Sequence, residues 1–299
     1  MSAAPGRVGG MARVGAIVLP SLPPEDLRAA VLAAEAGGVP ELWIWEDCFR
    51  ESAFAVAGAV LAWTERLRVG IGIAPMPLRN VAVTAMEIAS LERMFPGRVL
   101  PGVGHGVQSW MGQVGARVAS PLTLMREHVT ALRALLAGDE VTTGGRYVSL
   151  EGVRLDWPPS SPPALYAAGE GPKTLRVTGE TADGTVLVAG HPPQRLAEQI
   201  GIVRAARAAA RPGEQDVVAY VIAAFGGADA SERAGRELGR WNLPDEPSRV
   251  LVGTPEAVAA QASAFVDVGV DALILQPTED EPDLPAFYAA AGEVAALIG

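Results

Sequence analysis

The chain has 299 residues, of which 49% are hydrophobic, 5% aromatic and 19% charged. This length suits a single α/β barrel, which typically needs about 250 residues, and a core of aliphatic side chains suits a parallel sheet covered by helices. The formal net charge is −10, and no run of Lys and Arg offers a surface for nucleic acid. Because no apolar stretch is long enough to span a bilayer either, we expect small-molecule partners and neither nucleic acid nor membrane.

The N-terminal segment and the cysteine content concern domain organisation and compartment. Residues 1–11 are rich in Gly and Ala and lack the pattern of a signal peptide, so they are predicted to be a flexible extension ahead of a single domain over residues 12–299. Cys48 is the only cysteine. An intrachain disulfide is therefore excluded, and we predict a cytoplasmic protein.

Short apolar runs alternate with segments of helical period along the chain, which is the pattern of repeated βα units. It predicts a (β/α)₈ TIM barrel of class α/β, with an open doubly wound sheet as the alternative. Residues Glu140 to Asp156 interrupt the rhythm, and Thr143 to Tyr147 are typical of a hairpin turn. We therefore expect a short hairpin insertion between helix 4 and strand 5. The predicted strands are Arg13 to Leu19, Glu41 to Glu46, Leu67 to Ala74, Val99 to Val103, Ala164 to Ala168, Gly184 to Ala189, Val217 to Ala224 and Asp271 to Gln276.

The active site of such a barrel is built from the loops that follow its strands. Strand two leads into Glu46, Asp47 and Cys48, whose carboxylates and thiol are candidates for an acid, a base or a nucleophile. The alternative is that Glu46 or Asp47 only caps the next helix and that Cys48 is buried packing. Glycines inside strand three, including Gly72, indicate a bulge or a close approach of the backbone to a ligand.

The three histidines differ in their surroundings. His105 follows strand four between Gly104 and Gly106, so its imidazole has little side-chain cover and suits the wall of a pocket; a hydrogen-bonded loop histidine is the alternative. His191 follows strand six and is a second candidate to face the pocket. His128 lies in the middle of a helical segment and is predicted to be solvated. None of them belongs to a cluster with metal-ligand spacing, so we predict no metal.

The segment after strand five begins a helix with proline at its first position. A helix start at Pro172, with Lys173 and Thr174 after it, leaves free backbone N–H groups at the positive end of the helix dipole, which favours an anion. Lys173 is the only lysine among 24 Lys and Arg residues, and a compact ammonium at this turn suits a phosphate. The alternative is an ordinary helix start with a solvated lysine.

Together these segments resemble the luciferase-like monooxygenase superfamily and, within it, the coenzyme F420-dependent oxidoreductases. The resemblance runs from about Arg13 to the C-terminus. It is most specific in Leu42 to Phe49, in Pro96 to Gly106, and in Ala168 to Thr174 followed by Ala182-Asp183-Gly184.

The resemblance implies a cofactor, coenzyme F420 with FMN as the alternative, and the residues that hold it. It implies a cis peptide at Gly72-Ile73 against the ring, and a phosphate of the cofactor tail on residues 171 to 174. The complete set of predicted cofactor-binding residues is Asp47, Gly72, Ile73, Gly104, His105, Gly106, Gly169, Glu170, Gly171, Pro172, Lys173 and Thr174.

The activity that the resemblance implies is hydride transfer between the deazaflavin and a small organic substrate. F420-dependent sugar phosphate dehydrogenases carry a catalytic His after the strand-two Asp and a Glu after strand four, whereas this chain has Cys48 and Val107 there. His105 is therefore our candidate catalytic residue. The alternatives are an FMN-dependent monooxygenase and a non-catalytic flavin- or deazaflavin-binding protein. Family members often form dimers, so a homodimer is one possible oligomeric state. The side chains of Trp45, Phe49, Met76 and Trp110 suggest an apolar or planar substrate, with core packing as the alternative.

Overall fold

The computed structural model describes residues 12–299, so the predicted flexible extension over residues 1–11 lies outside the described residues. The strands are β1 (Arg13–Ile17), β2 (Glu41–Ile44), β3 (Arg68–Ile71), β4 (Ala74–Pro75), β5 (Val99–Leu100), β6 (Gly102–Gly104), β7 (Val141–Gly144), β8 (Ser149–Val153), β9 (Tyr166–Ala168), β10 (Gly184–Leu187), β11 (Asp216–Phe225), β12 (Val250–Gly253) and β13 (Ala272–Gln276).

The α-helices are α1 (Pro24–Ala36), α2 (Ala53–Trp63), α3 (Val81–Met94), α4 (Gln108–Gln113), α5 (Pro121–Leu136), α6 (Pro172–Thr181), α7 (Pro193–Ala210), α8 (Ala228–Arg240), α9 (Pro255–Asp267) and α10 (Leu284–Ile298). Short 3₁₀ turns cover Met76–Leu78 and Pro247–Arg249. No helix within residues 12–299 is long and apolar enough to cross a membrane.

The large sheet closes into a barrel whose strand pairings are all parallel. Two strands predicted as continuous are interrupted: Gly72 and Ile73 separate β3 from β4, and Pro101, which has no N–H for the ladder, separates β5 from β6. When each interrupted pair is counted as one strand, the ring runs β1, β2, β3/β4, β5/β6, β9, β10, β11, β13 and back to β1. The predicted (β/α)₈ barrel is confirmed, and β12, which pairs with the end of β11, is an additional strand that the prediction missed.

Large aromatic side chains fill the middle of the barrel. The Trp43 ring lies 5.5 Å from that of Tyr166 and 6.1 Å from that of Tyr220, both edge to face. Glycines leave the space that these rings occupy. A methyl group on Gly70 would fall inside the Trp43 indole, and one on Gly184 would fall inside the Tyr166 ring. These two glycines are therefore required by packing, since the space that a side chain would need is already filled.

A buried charge network closes the N-terminal end of the barrel. Arg13 donates to Glu41 at 2.8 Å and to Asp216 at 2.7 Å, and Arg68 donates to Glu41 at 2.9 Å. The Tyr166 hydroxyl donates to Asp216 at 2.6 Å. Burial raises the pKa of Asp216, although Arg13 opposes the shift. Because this end of such a barrel contributes stability and not chemistry, we assign the network a role in stabilising the fold.

The predicted hairpin insertion is confirmed, and it covers the face of α5 that carries His128. β7 and β8 pair antiparallel, and Glu127 accepts hydrogen bonds from the N–H groups of residues 146, 147 and 148 at 2.8 to 3.0 Å. The prediction that His128 is solvated is wrong, because its side chain is 1% exposed. It lies one helical turn from the buried Leu124 and Leu132, so it belongs to the apolar stripe of α5.

Replacing His128 with Leu should flatten the dependence of stability on pH in the acid range. Burial lowers the pKa of His128 to about 4, while the unfolded chain takes up the proton near pH 6.5. The unfolded state therefore binds more protons between these values, and the free energy of unfolding falls as the pH drops through them, by up to about 3 kcal/mol. Urea unfolding of both proteins at neutral pH and at about pH 4.5 measures the difference; an identical pH dependence would contradict it.

Candidate active site

The predicted site segments follow neighbouring strands of the barrel and meet at its C-terminal rim. The Glu46 N–H donates to the carbonyl of Ile73 at 3.2 Å, and the Gly72 N–H donates to the carbonyl of Ile44 at 2.7 Å. Pro75 stands opposite Gly104 in the pairing of β4 with β6. The loop after β2, the interruption of β3/β4 and the loop after β6 therefore form one continuous wall.

The peptide bond between Gly72 and Ile73 is cis, as predicted. The Tyr220 hydroxyl donates to the carbonyl of Gly72 at 3.2 Å, and a side chain on Gly72 would collide with that hydroxyl. On the neighbouring strand, a methyl group on Gly104 would lie 2.7 Å from Cγ1 of Ile73. Glycine is thus required at Gly72 by Tyr220 and at Gly104 by the Ile73 side chain.

Glu46 holds the loop after β2 in place. Its two carboxylate oxygens each accept a hydrogen bond of 2.7 Å from Arg79, and Oε2 also accepts from the N–H of Ala53, the first residue of α2, at 2.9 Å. These contacts to Arg79 and Ala53 tie the loop to other parts of the fold. The alternative reading, in which Glu46 caps the following helix, is the one that the structure supports.

Asp47 and Cys48 follow on the same loop and are partly buried. Burial raises the pKa of Asp47, with a hydrogen bond from Trp45 and the charge of Arg50 acting in the opposite direction. Burial and the neighbouring carboxylates of Glu46 and Asp47 raise the pKa of the Cys48 thiol. Because the reactive species of cysteine is the thiolate, this environment disfavours Cys48 as a nucleophile.

His105 has free hydrogen-bonding capacity at the rim. Both of its ring nitrogens are buried and lack a partner among residues 12–299, and burial lowers the pKa of its imidazole, which is therefore neutral at neutral pH. A buried polar group without a partner costs about 1 to 3 kcal/mol. These nitrogens fit a residue that meets a ligand better than a loop histidine whose hydrogen bonds are satisfied within the protein.

The first turn of α6 lies on the same rim. The helix begins after Gly171 without a side-chain cap and with Pro172 at its first position, so the N–H groups of Lys173 and Thr174 are available to an anion. The Lys173 side chain is exposed. A methyl group on Gly169 would lie 2.6 Å from Cγ2 of Thr174, so the turn is compact.

His191 meets one of the predicted site residues. Its Nε2 lies 3.7 Å from Oε1 of Glu170, and this contact, against the opposing effect of burial, holds the pKa of Glu170 below its ordinary value. The loops after β9 and β10 are thereby joined. The expectation that His191 faces the rim agrees with this position.

Some features of the rim differ from expectation. Met76 is 2% exposed and lines a cavity beside α5 instead of the mouth, whereas Phe49 is 65% exposed. The cis peptide between Cys48 and Phe49 carries no signal in the residue types. Tyr220 was also missed, although a tyrosine inside an otherwise apolar strand indicates a hydroxyl that needs a partner.

A family model for luciferase-like monooxygenases matches residues 2–244. The chain belongs to the luciferase-like monooxygenase family. Its curated relatives include 5,10-methylenetetrahydromethanopterin reductase of Methanolobus tindarius, which is 30% identical over 203 residues. The alignment covers 68% of this chain and 62% of that relative, so it leaves more than a third of the relative's length unmatched.

Solved structures of other proteins have the same fold. The coenzyme F420-dependent tetrahydromethanopterin reductase of Methanopyrus kandleri superposes with a TM-score of 0.85 at 20% identity, over 97% of this chain and all of that one. An F420-dependent secondary alcohol dehydrogenase in complex with an F420-acetone adduct gives 0.86 at 21% identity, over 97% and 99% of the two chains. At such identities the likeness establishes the fold alone.

Replacing Glu46 with Gln should lower the free energy of unfolding by about 2 kcal/mol, because it weakens charge-assisted hydrogen bonds to a partly buried Arg79. Glu87 provides the matched control: it reaches the same guanidinium at 3.4 Å and is 30% exposed. Its replacement with Gln should cost less than about 1 kcal/mol. Urea unfolding of the three proteins measures both effects, and equal losses would show that Glu46 has no special part in holding the loop.

Proposed function

We propose that the protein is a coenzyme F420-dependent oxidoreductase that transfers a hydride between the deazaflavin and a small organic substrate. The observation that carries this proposal is the uncapped first turn of α6, with the only lysine of the chain, on the same rim as the Gly72-Ile73 bulge. Family membership supports it, as do curated relatives that are named F420-dependent glucose-6-phosphate dehydrogenase.

The residues at the rim fit such a cofactor. Gly171, Pro172, Lys173 and Thr174 would hold a phosphate of its tail, because they combine free N–H groups, the helix dipole and an ammonium. Gly72, Ile73, Gly104 and Gly106 would border the ring, since a backbone with few side chains admits a flat group closely. Asp47, His105, Gly169 and Glu170 would complete the site.

His105 would accept or donate the proton that accompanies hydride transfer. When bound, the deazaflavin supplies a ring carbon that accepts or gives a hydride. Oxidation of an alcohol carbon also releases the hydroxyl proton, and a neutral imidazole with a free nitrogen can accept it. The exposed Phe49 and Val107 favour an apolar or planar substrate at the mouth.

Two other functions are tested by the same experiments. An FMN-dependent monooxygenase would bind FMN in preference to F420. A non-catalytic binding protein would bind the cofactor without turnover, and the presence of Cys48 and Val107 at the dehydrogenase positions is the observation that favours it.

Titration with oxidised F420 and with FMN, followed by tryptophan quenching and cofactor fluorescence, should show binding of F420 alone. Replacing Lys173 with Ala should raise the F420 dissociation constant about tenfold, because an ammonium-phosphate contact is lost. Arg176, exposed on the next turn of α6, is the matched control, and its replacement with Ala should leave the constant within about twofold. Preference for FMN would move the assignment to the monooxygenase, and failure to bind either would refute the cofactor.

Replacing His105 with Gln should lower kcat at least about 100-fold on any substrate found among alcohols and ketones, as expected for loss of a general base or acid. Since F420 binding relies mainly on α6, the F420 dissociation constant should change far less. In the unmodified protein, the acid limb of the pH profile should lie below pH 6.5, the ordinary value for histidine, because burial lowers the pKa of His105. Turnover that is insensitive to this replacement would remove His105 from the reaction.

We also propose that the protein works in the cytoplasm.

A further proposal concerns oligomeric state: we propose that two copies pair through the outer faces of α2 and α3. α2 contains no charged residue, although an outer helix of a monomer normally presents a polar face to water. The neighbouring α3 exposes Val83, Met86 and Met94, which are 46%, 58% and 61% accessible. A methyl group on Gly58 of α2 would lie 3.5 Å from Cδ2 of the buried Leu91 of α3, so the two helices pack side by side.

Analytical ultracentrifugation should therefore show a dimer that Met86→Glu converts to a monomer, because a carboxylate would be buried without a partner. Leu297→Glu, at a position 57% exposed on α10, should remain dimeric. A monomeric unmodified protein would refute the interface.

A further inference from the structure

Three arginine side chains converge on one carboxylate at the N-terminal end of the barrel. Arg133 of α5 lies 2.9 Å from Oδ2 of Asp183, and Arg211, which follows α7, lies 3.0 Å from Oδ1. Arg207 of α7 lies 3.9 Å from the same Oδ1. Asp183 directly precedes β10, so this arginine cluster of Arg133, Arg207 and Arg211 lies at the end of the barrel opposite the proposed active site.

The carbonyl groups at the end of α6 are the other acceptors of the arginine cluster. Arg133 donates to the carbonyl of Thr181 at 3.0 Å, and Arg207 donates to that of Ala182 at 2.9 Å. Arg211 also donates to the Ala182 carbonyl. The C-terminal end of a helix carries about half a negative elementary charge. Asp183 and this helix end therefore neutralise only about half of the three guanidinium charges.

No further carboxylate completes the balance. Among residues 12–299, Asp183 is the only carboxylate within ion-pair distance of the three arginines, and Glu180 of α6 contacts Arg126 instead. Burial lowers the pKa of Arg207 and of Arg211, and the charge of Arg133 lowers both further, although Asp183 opposes the shift. The cluster therefore holds positive charge that a bound anion would stabilise.

Two of the three guanidinium groups can be reached from solvent. The side chains of Arg133 and Arg211 are 38% and 25% exposed. Each contacts Asp183 and a carbonyl through Nη2, and Nη1 of each has no partner within the described part of the chain. Since the two Nη2 atoms lie beside different oxygens of one carboxylate, both groups are close enough to meet the same small anion. The planar fork of donors on a guanidinium fits the oxygens of phosphate.

We propose that the arginine cluster binds a phosphate group, as inorganic phosphate or as the phosphate of a small monoester, between Arg133 and Arg211. A monoester carries a charge of about −1.5 to −2 at neutral pH, which matches the positive charge that Asp183 and α6 leave unbalanced. The site is separate from the turn proposed for the cofactor phosphate. Lys173 lies at the first turn of α6, and a helix of ten residues is about 15 Å long.

Calorimetric titration with inorganic phosphate, at an ionic strength held constant with sodium chloride, tests the proposal. We expect saturable binding of one phosphate per chain at this site, and a crystal soaked in phosphate should show it on Arg133 and Arg211. Replacing Arg211 with Gln should raise the phosphate dissociation constant about tenfold, because one charge-assisted contact is lost. Arg126, 50% exposed on the same helix as Arg133, is the matched control, and Arg126→Gln should change the constant less than about twofold.

Lys173→Ala separates this site from the first turn of α6, since it should keep the binding that Arg211→Gln weakens. Binding that disappears in Lys173→Ala, or equal losses in Arg211→Gln and Arg126→Gln, would overturn the proposal. Circular dichroism melting verifies the fold of each variant. The soaked crystal of the unmodified protein decides the case without any variant, because ordered water alone between Arg133 and Arg211 would also overturn it.

A second titration identifies the source of the phosphate group. Glycerol 3-phosphate that binds more tightly than inorganic phosphate would support a monoester as the ligand, and equal or weaker binding would support free phosphate. Sulfate, which is also a dianion, should compete with either one. Equally effective competition by chloride at the same ionic strength would contradict a phosphate site, because it would show only general screening of charge.

Discussion

The filling of the barrel interior decides the shape of its rim. Trp43, Tyr166 and Tyr220 occupy the middle of the barrel, and they fit only because glycines face them. The same packing reaches the rim, since the Tyr220 hydroxyl binds the carbonyl of Gly72. The bulge that would border the cofactor is thus supported from below by the core, and its position does not depend on a mobile loop.

The barrel could be predicted because its signal is repeated many times along the chain. Each apolar run followed by a helical segment adds independent support, and the parallel connection leaves few topologies. The interruptions at Gly72-Ile73 and Pro101 were not predicted as strand ends because the surrounding residues remain apolar. His128 was misplaced because the prediction weighed its polarity, whereas its spacing from Leu124 and Leu132 places it on the buried stripe.

The sequence predicts those parts of the rim whose residues lie within one short segment of the chain. The glycines around His105 and the Pro172-Lys173-Thr174 turn are contiguous in the sequence, and the structure places them at the ends of neighbouring strands. Contacts between distant residues could not be found in this way: Glu46 and Arg79 are 33 positions apart, and Tyr220 and Gly72 are 148 apart. Residue type likewise gave no indication of the cis bond after Cys48.

The scarcity of lysine has a practical consequence for the chemistry of this surface. Guanidinium groups resist acylation under mild conditions because they stay protonated, whereas an ammonium can lose its proton and react. Lys173 is the only lysine side chain in the sequence, and it is exposed at the start of α6. An amine-directed reagent would therefore mark one side chain in 299 residues, apart from the chain terminus, and a fluorophore attached there would report directly on whatever occupies the first turn of the helix.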